Sequence, residues 1–228
     1  MLKLSVVVPF YDEEKSLPRI ETELVPVLDG LGLEYEIVAV DDGSTDGSRR
    51  VVEGLQKKLP SLRLVAHERN RGLGAAVRSG LAAAKGALIV TFESDFTYAP
   101  AQIAGLIIKH METQADCVSV TTAGSKDVPA VRRLGSELVN LSYRLWAGPY
   151  MGWTPLLRLY RADALRGLEL RCEGFEINAE ILVALLRAGR KVAELPVQLT
   201  VRREGASKLR VLQELRRHAA LTLRLLLR

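Results

Sequence analysis

The strongest constraint on the fold is a series of four apolar runs, each closed by a polar cluster. LSVVVPF (4–10), YEIVAVDD (35–42), LRLVAHE (62–68) and ALIVTFE (87–93) place apolar residues at consecutive positions rather than alternate ones. Strands covered on both faces read this way, whereas half-solvated strands alternate. Helical stretches separate them: one running to about Leu31, then STDGSRRVVEGLQKKL (44–59), then RGLGAAVRSGLAAAKG (71–86). Ser44, Thr45 and Asp46 are N-cap residues, and Gly86 closes the third stretch. Strand–helix alternation predicts an α/β domain with a Rossmann-like, mainly parallel sheet and helices on both faces. Ligands of such sheets bind beyond the carboxyl ends of the strands. The polar clusters fall there: Tyr11-Asp12-Glu13-Glu14, Asp41-Asp42-Gly43-Ser44, Glu68-Arg69-Asn70-Arg71-Gly72 and Glu93-Ser94-Asp95.

The second half is less regular. ADCVSVTT (115–122) and TPLLRLYR (154–161) read as strands. VRRLGSELVNLSYRLW (131–146) and INAEILVALLRAGRK (177–191) read as helices, and VAELPVQLTVR (192–202) as an extended pair broken at Pro196. With no repeat or linker, a single domain over 1–208 followed by a basic helix over 209–228 is the expectation. At 48% hydrophobic and 26% charged, the chain has the makings of a core rather than of a disordered segment. Its two cysteines, Cys117 and Cys172, have no metal-ligand spacing and fit a reducing compartment. The opening MLKLSVVVPF turns polar too soon for a secretory leader and reads as the first strand. No run of about 18 apolar residues marks a membrane span. Nucleic acid is not an expected partner, because aromatics are 5% of the chain and do not interleave with basic residues.

Each cluster has a chemical reading and a plainer one. Asp41-Asp42 ends the second strand, and Gly43 permits a tight turn. A cap needs fewer acids than stand there, and a carboxylate at that place can accept from a nucleobase N–H or a ribose hydroxyl. Gly72-Leu73-Gly74 opens a helix, where phosphates approach backbone N–H groups. It follows the third strand, so it is not the dinucleotide fingerprint, and no Gly-Lys-Ser/Thr follows to make a P-loop. Glu93 and Asp95, two apart on a straight strand, would point the same way and could jointly hold a hard cation. They read equally as two solvated acids at a loop start.

Taken in order, SVVVPFYDEEKSL, EIVAVDDGSTDGS, RNRGLGAAVRSGLAAAKGALIVTFESD and GFEINAEILVALLRAGRKVAELPVQLTVRREGASKL resemble glycosyltransferase family 2. The likeness covers roughly residues 4–210, and its nearest subgroup is the dolichyl- and polyprenyl-phosphate sugar transferases. It implies a GT-A fold and an inverting transferase that moves a sugar from a GDP- or UDP-linked donor to a lipid phosphate. By that resemblance Pro9, Tyr11, Glu13 and Asp42 line the nucleotide pocket. Glu93-Ser94-Asp95 falls on the Asp-x-Asp metal motif, with Glu93, Asp95 and Thr97 as ligands for Mg²⁺ or Mn²⁺ and Ser94 beside the donor. Arg132 and Ser136 match acceptor-phosphate positions. Arg202, Ser207 and Lys208 match the closing loop, with Asp95, Arg202 and Lys208 stabilising the leaving charge.

The chain departs from the family pattern in three places. Glu93 is one methylene longer than the usual Asp. Val120-Thr121-Thr122 stands where relatives usually carry an Arg after the fifth strand. Pro155-Leu156-Leu157-Arg158 stands for Ser-Gly-Phe-Arg. A phosphate acceptor is already anionic, whereas a hydroxyl acceptor would need a base, for which Glu176 and Glu180 are the candidates. Two other readings are a transferase to a hydroxyl and a nucleotide-sugar- or partner-binding module with reduced turnover. A nucleotidyltransferase is disfavoured, because its first loop would be glycine-rich. His67, His110 and His218 fall in no shared constellation and read as structural.

The net charge of +5 equals the surplus carried from Lys208 onward, where six basic residues face one acid, Glu214. Arg210, Arg217 and Arg224 recur every seven residues, with Leu212, Leu215, Ala219 and Leu226 on another face. That pattern predicts a helix lying on an anionic membrane, hence a peripheral location on the cytoplasmic face. A packing helix, against the sheet or in a homo-oligomer, is the competing expectation.

Overall fold

The computed structural model describes residues 3–122, 139–144, 147–150, 152–198 and 211–226, with backbone alone at 122, 211–213 and 226. The four apolar runs form β1 (Lys3–Phe10), β2 (Glu34–Asp41), β3 (Leu62–Ala66) and β4 (Leu88–Thr91). With β5 (Cys117–Thr122), β6 (Arg158–Arg161) and β7 (Val192–Val197) they make a seven-stranded sheet in the order β3-β2-β1-β4-β6-β5-β7. All neighbours are parallel except the two pairs made by β6.

Successive residues of β1 serve opposite faces. Leu4, Val6, Val8 and Phe10 join a core with Leu28 of α1 (Val25–Gly30), Val52 of α2 (Ser48–Gln56), and Ile103 and Leu106 of α4 (Gln102–Thr113). Val7, Val38, Val40 and Ile89 pack on the other face, against Ala76 of α3 (Leu73–Ala83). Beyond β4 that second face is covered by α5 (Ile177–Arg187) and α6 (Val211–Leu226). Burial on both sides explains the unbroken apolar runs. The single-domain, mainly parallel α/β architecture is as expected.

Three local expectations need correction. The helix after β1 is a π-helical turn, Ile20–Leu24, leading into the short α1. Val25 N–H bonds Ile20 O, and Pro26 has no N–H to continue a normal ladder. α2 starts at Ser48 behind an N-cap Gly47 rather than at 44–46. Pro196 does not break β7 but sits within it, opposite Thr121. β7 is an edge strand, where a missing N–H is tolerated.

At the amino ends of the strands, Glu36 joins four segments. Its carboxylate accepts from Ser5 Oγ (2.7 Å), Lys85 N–H (2.6 Å) and the Arg63 fork (2.8 and 3.0 Å). Burial alone would raise its pKa, but these donors hold the carboxyl below its ordinary value. This network fixes the sheet end opposite the polar clusters.

Candidate active site

The strand order β3-β2-β1-β4 brings the four polar clusters to one rim. Two loops there are locked together. Asp12, at φ +51°, accepts from Thr45 N–H (2.7 Å), Thr45 Oγ1 (3.3 Å) and Asp46 N–H (3.4 Å). Ser44 Oγ and Ser48 Oγ accept from the N–H groups of Asp12 (3.0 Å) and Glu13 (2.7 Å). Ser44 and Thr45 therefore pin the first loop, while Asp46 serves both loop and helix, accepting from Ser48 N–H at the start of α2 (2.9 Å) and from Glu14 N–H (3.3 Å). Of the expected donor-site residues, Pro9 is buried in β1 opposite Val40, and Tyr11 is half-buried at the rim. Glu13 folds back to accept from Ser16 Oγ (3.0 Å).

Asp41 and Asp42 are both buried, and their oxygens are engaged. Asp41 accepts from Ser44 N–H (2.8 Å) and pairs with Arg49 Nε (2.6 Å). Asp42 accepts from Arg71 N–H (3.0 Å) and Gly72 N–H (2.7 Å), and lies 2.7 Å from His67 Nδ1. His67 Nε2 in turn lies 2.9 Å from Ser79 Oγ, so one imidazole ties β2, β3 and α3 together. The glycines that open α3 are seated on the second half of the chain. A Cβ on Gly72 would meet Glu173 O at 2.2 Å, and one on Gly74 would meet Cys172 O at 2.2 Å. Gly74 N–H already donates to Glu173 O (2.7 Å). Close backbone approach accounts for these glycines without a phosphate. A cleft of about 260 Å³ beside the end of β3 is lined by Ala66, His67, Glu68, Arg69 and Arg71.

Glu93, Ser94 and Asp95 do not lie on a straight strand. β4 stops at Thr91, and Phe96 N–H closes a turn on Glu93 O (3.1 Å). Asp95 Oδ1 accepts from Thr97 N–H (3.0 Å), Ser94 is buried, and Phe96 adopts φ +54°. The turn gathers hard oxygen donors at the rim. Among the described residues no three His, Cys, Asp or Glu side chains form a cation cage. Glu93 and Asp95 are hard oxygen donors of the kind suited to a Mg²⁺- or Mn²⁺-type ion that takes one or two carboxylates from the protein and the rest of its shell from substrate and water. Arg132, Ser136, Arg202, Ser207 and Lys208 lie outside the described residues.

Two groups expected near the acceptor are drawn into the interior. Arg158 is fully buried and donates to Ser119 Oγ (3.0 Å), Gly152 O (2.7 Å), Trp153 O (2.9 Å) and Asn178 O. Glu180 accepts from Arg171 N–H and Cys172 N–H (both 2.8 Å) and pairs with Arg224 (2.6 Å). That engagement is structural and removes Glu180 as a base. Glu176 is buried too. Its Oε1 accepts from Gly174 N–H (3.2 Å), while Oε2 has no hydrogen-bond partner among the described residues.

The α6 helix packs on the domain. Leu221, Leu225 and His218 are buried, and Arg217 pairs with Glu214 (3.1 Å). The basic stripe expected to face lipid is therefore split, since Arg217 and Arg224 pair with protein carboxylates. The outer face carries Arg216, Ala219, Ala220 and Leu223. Burial depresses the His218 pKa from 6.5 to about 4 despite the pull of Glu176, and the Tyr143 hydroxyl lies 3.0 Å from its Nδ1. A depressed histidine gives stability that is complete above the unfolded value and is lost as pH falls. We expect acidification from pH 6.5 towards about 4 to lower the unfolding free energy measured in urea, by up to about 3 kcal/mol from this residue. Glu214, raised by burial, works in the opposite sense at the acid end. His218→Phe should remove the histidine part of the slope; a pH profile unchanged by that variant would refute the assignment.

The functional groups that sequence reasoning missed are Arg19, which touches the 93–96 turn, and the Asp12 and His67 bridges. Each depends on a partner at least 12 residues away, and no local motif signals it.

The geometry agrees with comparison to known proteins. In sequence, the chain is 31% identical over 208 residues to an undecaprenyl-phosphate 4-deoxy-4-formamido-L-arabinose transferase of Shewanella sediminis (strain HAW-EB3). That match takes in 90% of this chain and 61% of the relative, so the chain spans about three fifths of that protein's length. In structure, it resembles glucosyl-3-phosphoglycerate synthase from Mycobacterium tuberculosis in complex with Mn²⁺, UDP and phosphoglyceric acid, with TM-score 0.70 and 21% identity, over 94% of this chain and 73% of that one. It also resembles S. aureus TarS 1–349, with TM-score 0.59 and 22% identity, over 87% of this chain and 59% of that one. The profile described as Glycosyl transferase family 2 matches residues 5–169, which include the whole acidic rim, and the chain belongs to that family.

Proposed function

We propose that the chain transfers a sugar from a nucleoside-diphosphate donor to a polyprenyl phosphate, with Glu93 and Asp95 holding a Mg²⁺ or Mn²⁺ ion at the donor diphosphate. The observation that supports this reading is the 93–96 turn, which puts Glu93 and Asp95 just past the end of β4, at the rim where the first four strands end. The undecaprenyl-phosphate relative supports the acceptor class, and the Mn²⁺–UDP and Mg²⁺–UDP complexes of the synthase support the donor class and the ion. When bound, the ion would supply positive charge to the departing diphosphate. Arg202 and Lys208, from the resemblance, would grip the same phosphates. Pro9, Tyr11 and Glu13 would shape the nucleotide side, and Asp42 would hold the 71–72 backbone beside it. Arg132 and Ser136 would meet the acceptor phosphate, which attacks as an anion and needs no protein base.

A second reading rests on Glu176. Its buried Oε2 has no hydrogen-bond partner among the described residues, and a hydroxyl acceptor there would give it one. In this version Glu176 is the base.

No helix among the described residues is long and apolar enough to cross a membrane. We propose that the outer face of α6, with Leu223 and Arg216, rests on an anionic lipid surface that delivers the acceptor. One experiment tests these points together: incubate the protein with UDP- and GDP-sugars, Mn²⁺, and anionic vesicles carrying undecaprenyl phosphate. Labelled lipid, lost with EDTA and retained in Glu176→Gln, supports the first reading. Transfer only to alcohols, abolished in Glu176→Gln, supports the second. Nucleotide-sugar binding without any transfer would overturn both in favour of a binding module. Co-sedimentation weakened by Leu223→Glu supports the lipid surface, and unchanged co-sedimentation would refute it.

A further inference from the structure

The turn that carries Glu93 and Asp95 is held in a conformation its sequence does not favour. Phe96, the residue after Asp95, has φ +54° and is 1% exposed. An aromatic residue rarely adopts the left-handed region, and such strain persists only where the surroundings over-determine it. One wall is Phe92, whose ring meets Phe96 edge-to-face at 5.3 Å. The other is Arg19, which lies 76 positions away in the chain, at the start of the π-helical turn.

Arg19 is fixed at both ends. Nε and Nη2 donate to Glu23 Oε1 (2.8 Å) and Oε2 (3.0 Å) in a two-pronged pair. That pairing holds the guanidinium over the Phe96 ring, with Cζ 4.3 Å from its centroid. Nη1 donates to Asp95 O (3.4 Å). The same side chain therefore covers the strained residue and holds the carbonyl of the residue before it. Asp95 ψ sets how the Asp95 side chain stands relative to that peptide, so whatever fixes the peptide limits where the carboxylate points. An ordinary surface ion pair would contribute little, but this one has a planar fork, an aromatic face and a backbone acceptor at once.

We propose that Arg19 is a positioning residue that aims the Asp95 carboxylate at the cation–diphosphate. This inference rests on the transferase reading above. Arg19 acts through the 93–96 turn, while its own charge is balanced by Glu23. A merely structural Arg19 would affect stability and leave cation affinity alone.

The test measures Mn²⁺ binding to the full chain by electron spin resonance in the presence of UDP or GDP, alongside thermal unfolding and amide exchange at Phe96 and Thr97. Arg19→Met keeps the apolar stem and loses fork and charge. It should weaken Mn²⁺·nucleotide binding about tenfold and speed exchange at Phe96 and Thr97 even without metal. Arg19→Lys, which keeps a cation over the ring, should recover about a third of the native affinity. If Arg19→Met does not fold, Phe96→Leu removes the aromatic face with Arg19 in place and should show the same loss. Native Mn²⁺ affinity in a folded Arg19→Met or Phe96→Leu variant would overturn the positioning role and leave the transferase reading standing. A native chain that binds no Mn²⁺ with either nucleotide would overturn both.

Discussion

Asp95→Asn is expected to lower metal-dependent nucleoside-diphosphate release roughly a thousandfold, the loss that goes with several kcal/mol of charge stabilisation. Asparagine suits the test because Asp95 Oδ1 accepts from Thr97 N–H. The amide oxygen can keep that bond, so the turn stays closed while the negative charge goes. Unfolding should be nearly unchanged, and Mn²⁺ binding should fall along with release. Activity within a few-fold of the native chain would remove Asp95 from the site. The partner variant, Glu93→Asp, separates two meanings of the longer acid. If Glu93 is tuned to this turn, shortening it should reduce turnover with Mg²⁺ more than with Mn²⁺, because Mg²⁺ demands stricter octahedral geometry. Higher turnover with both ions would mark Glu93 as a handicap.

Arg158→Met is the largest expected effect on stability. The guanidinium is fully buried and holds Ser119 Oγ and the carbonyls of Gly152, Trp153 and Asn178. Methionine fills much of the volume but leaves those acceptors without donors, and each orphaned buried group costs about 1–3 kcal/mol. We expect about 4 kcal/mol lost in urea unfolding, or roughly 10 °C in thermal midpoint for a chain of this size. A loss below about 1 kcal/mol would mean that water or other donors replace the guanidinium. Lysine should not rescue, since a single ammonium cannot reproduce the planar fork.

The strands were legible because burial on both faces forces consecutive apolar residues, and the rim was legible because parallel strands end together. What escaped had no local signature. Nothing in Phe92–Thr97 reveals that Phe96 turns left-handed, so two acids at i and i+2 looked like neighbours along a strand. Pro196 reads as a breaker until the strand order shows that it lies on an edge. Arg158 stands at the Arg of the family's Ser-Gly-Phe-Arg stretch, and a sequence does not show that three carbonyls converge on it. The period of the tail was readable, but Arg224 is turned inward by Glu180, 44 positions away.

The backbone at Cys172–Glu173, seated on Gly72 and Gly74, makes the two halves of the chain inseparable as engineering parts. The family match stops at residue 169, just short of this seat. Gly72 N–H also donates to Asp42, so any displacement of 172–173 is passed by main chain alone to the carboxylate under the nucleotide side of the rim. On the proposed assignment of donor and acceptor sides, a chimera that borrows its second half from a relative would inherit a changed 71–74 loop as well, unless the 172–174 backbone were transplanted with its glycine partners. Changes in acceptor preference in this fold should therefore carry changes in donor affinity with them.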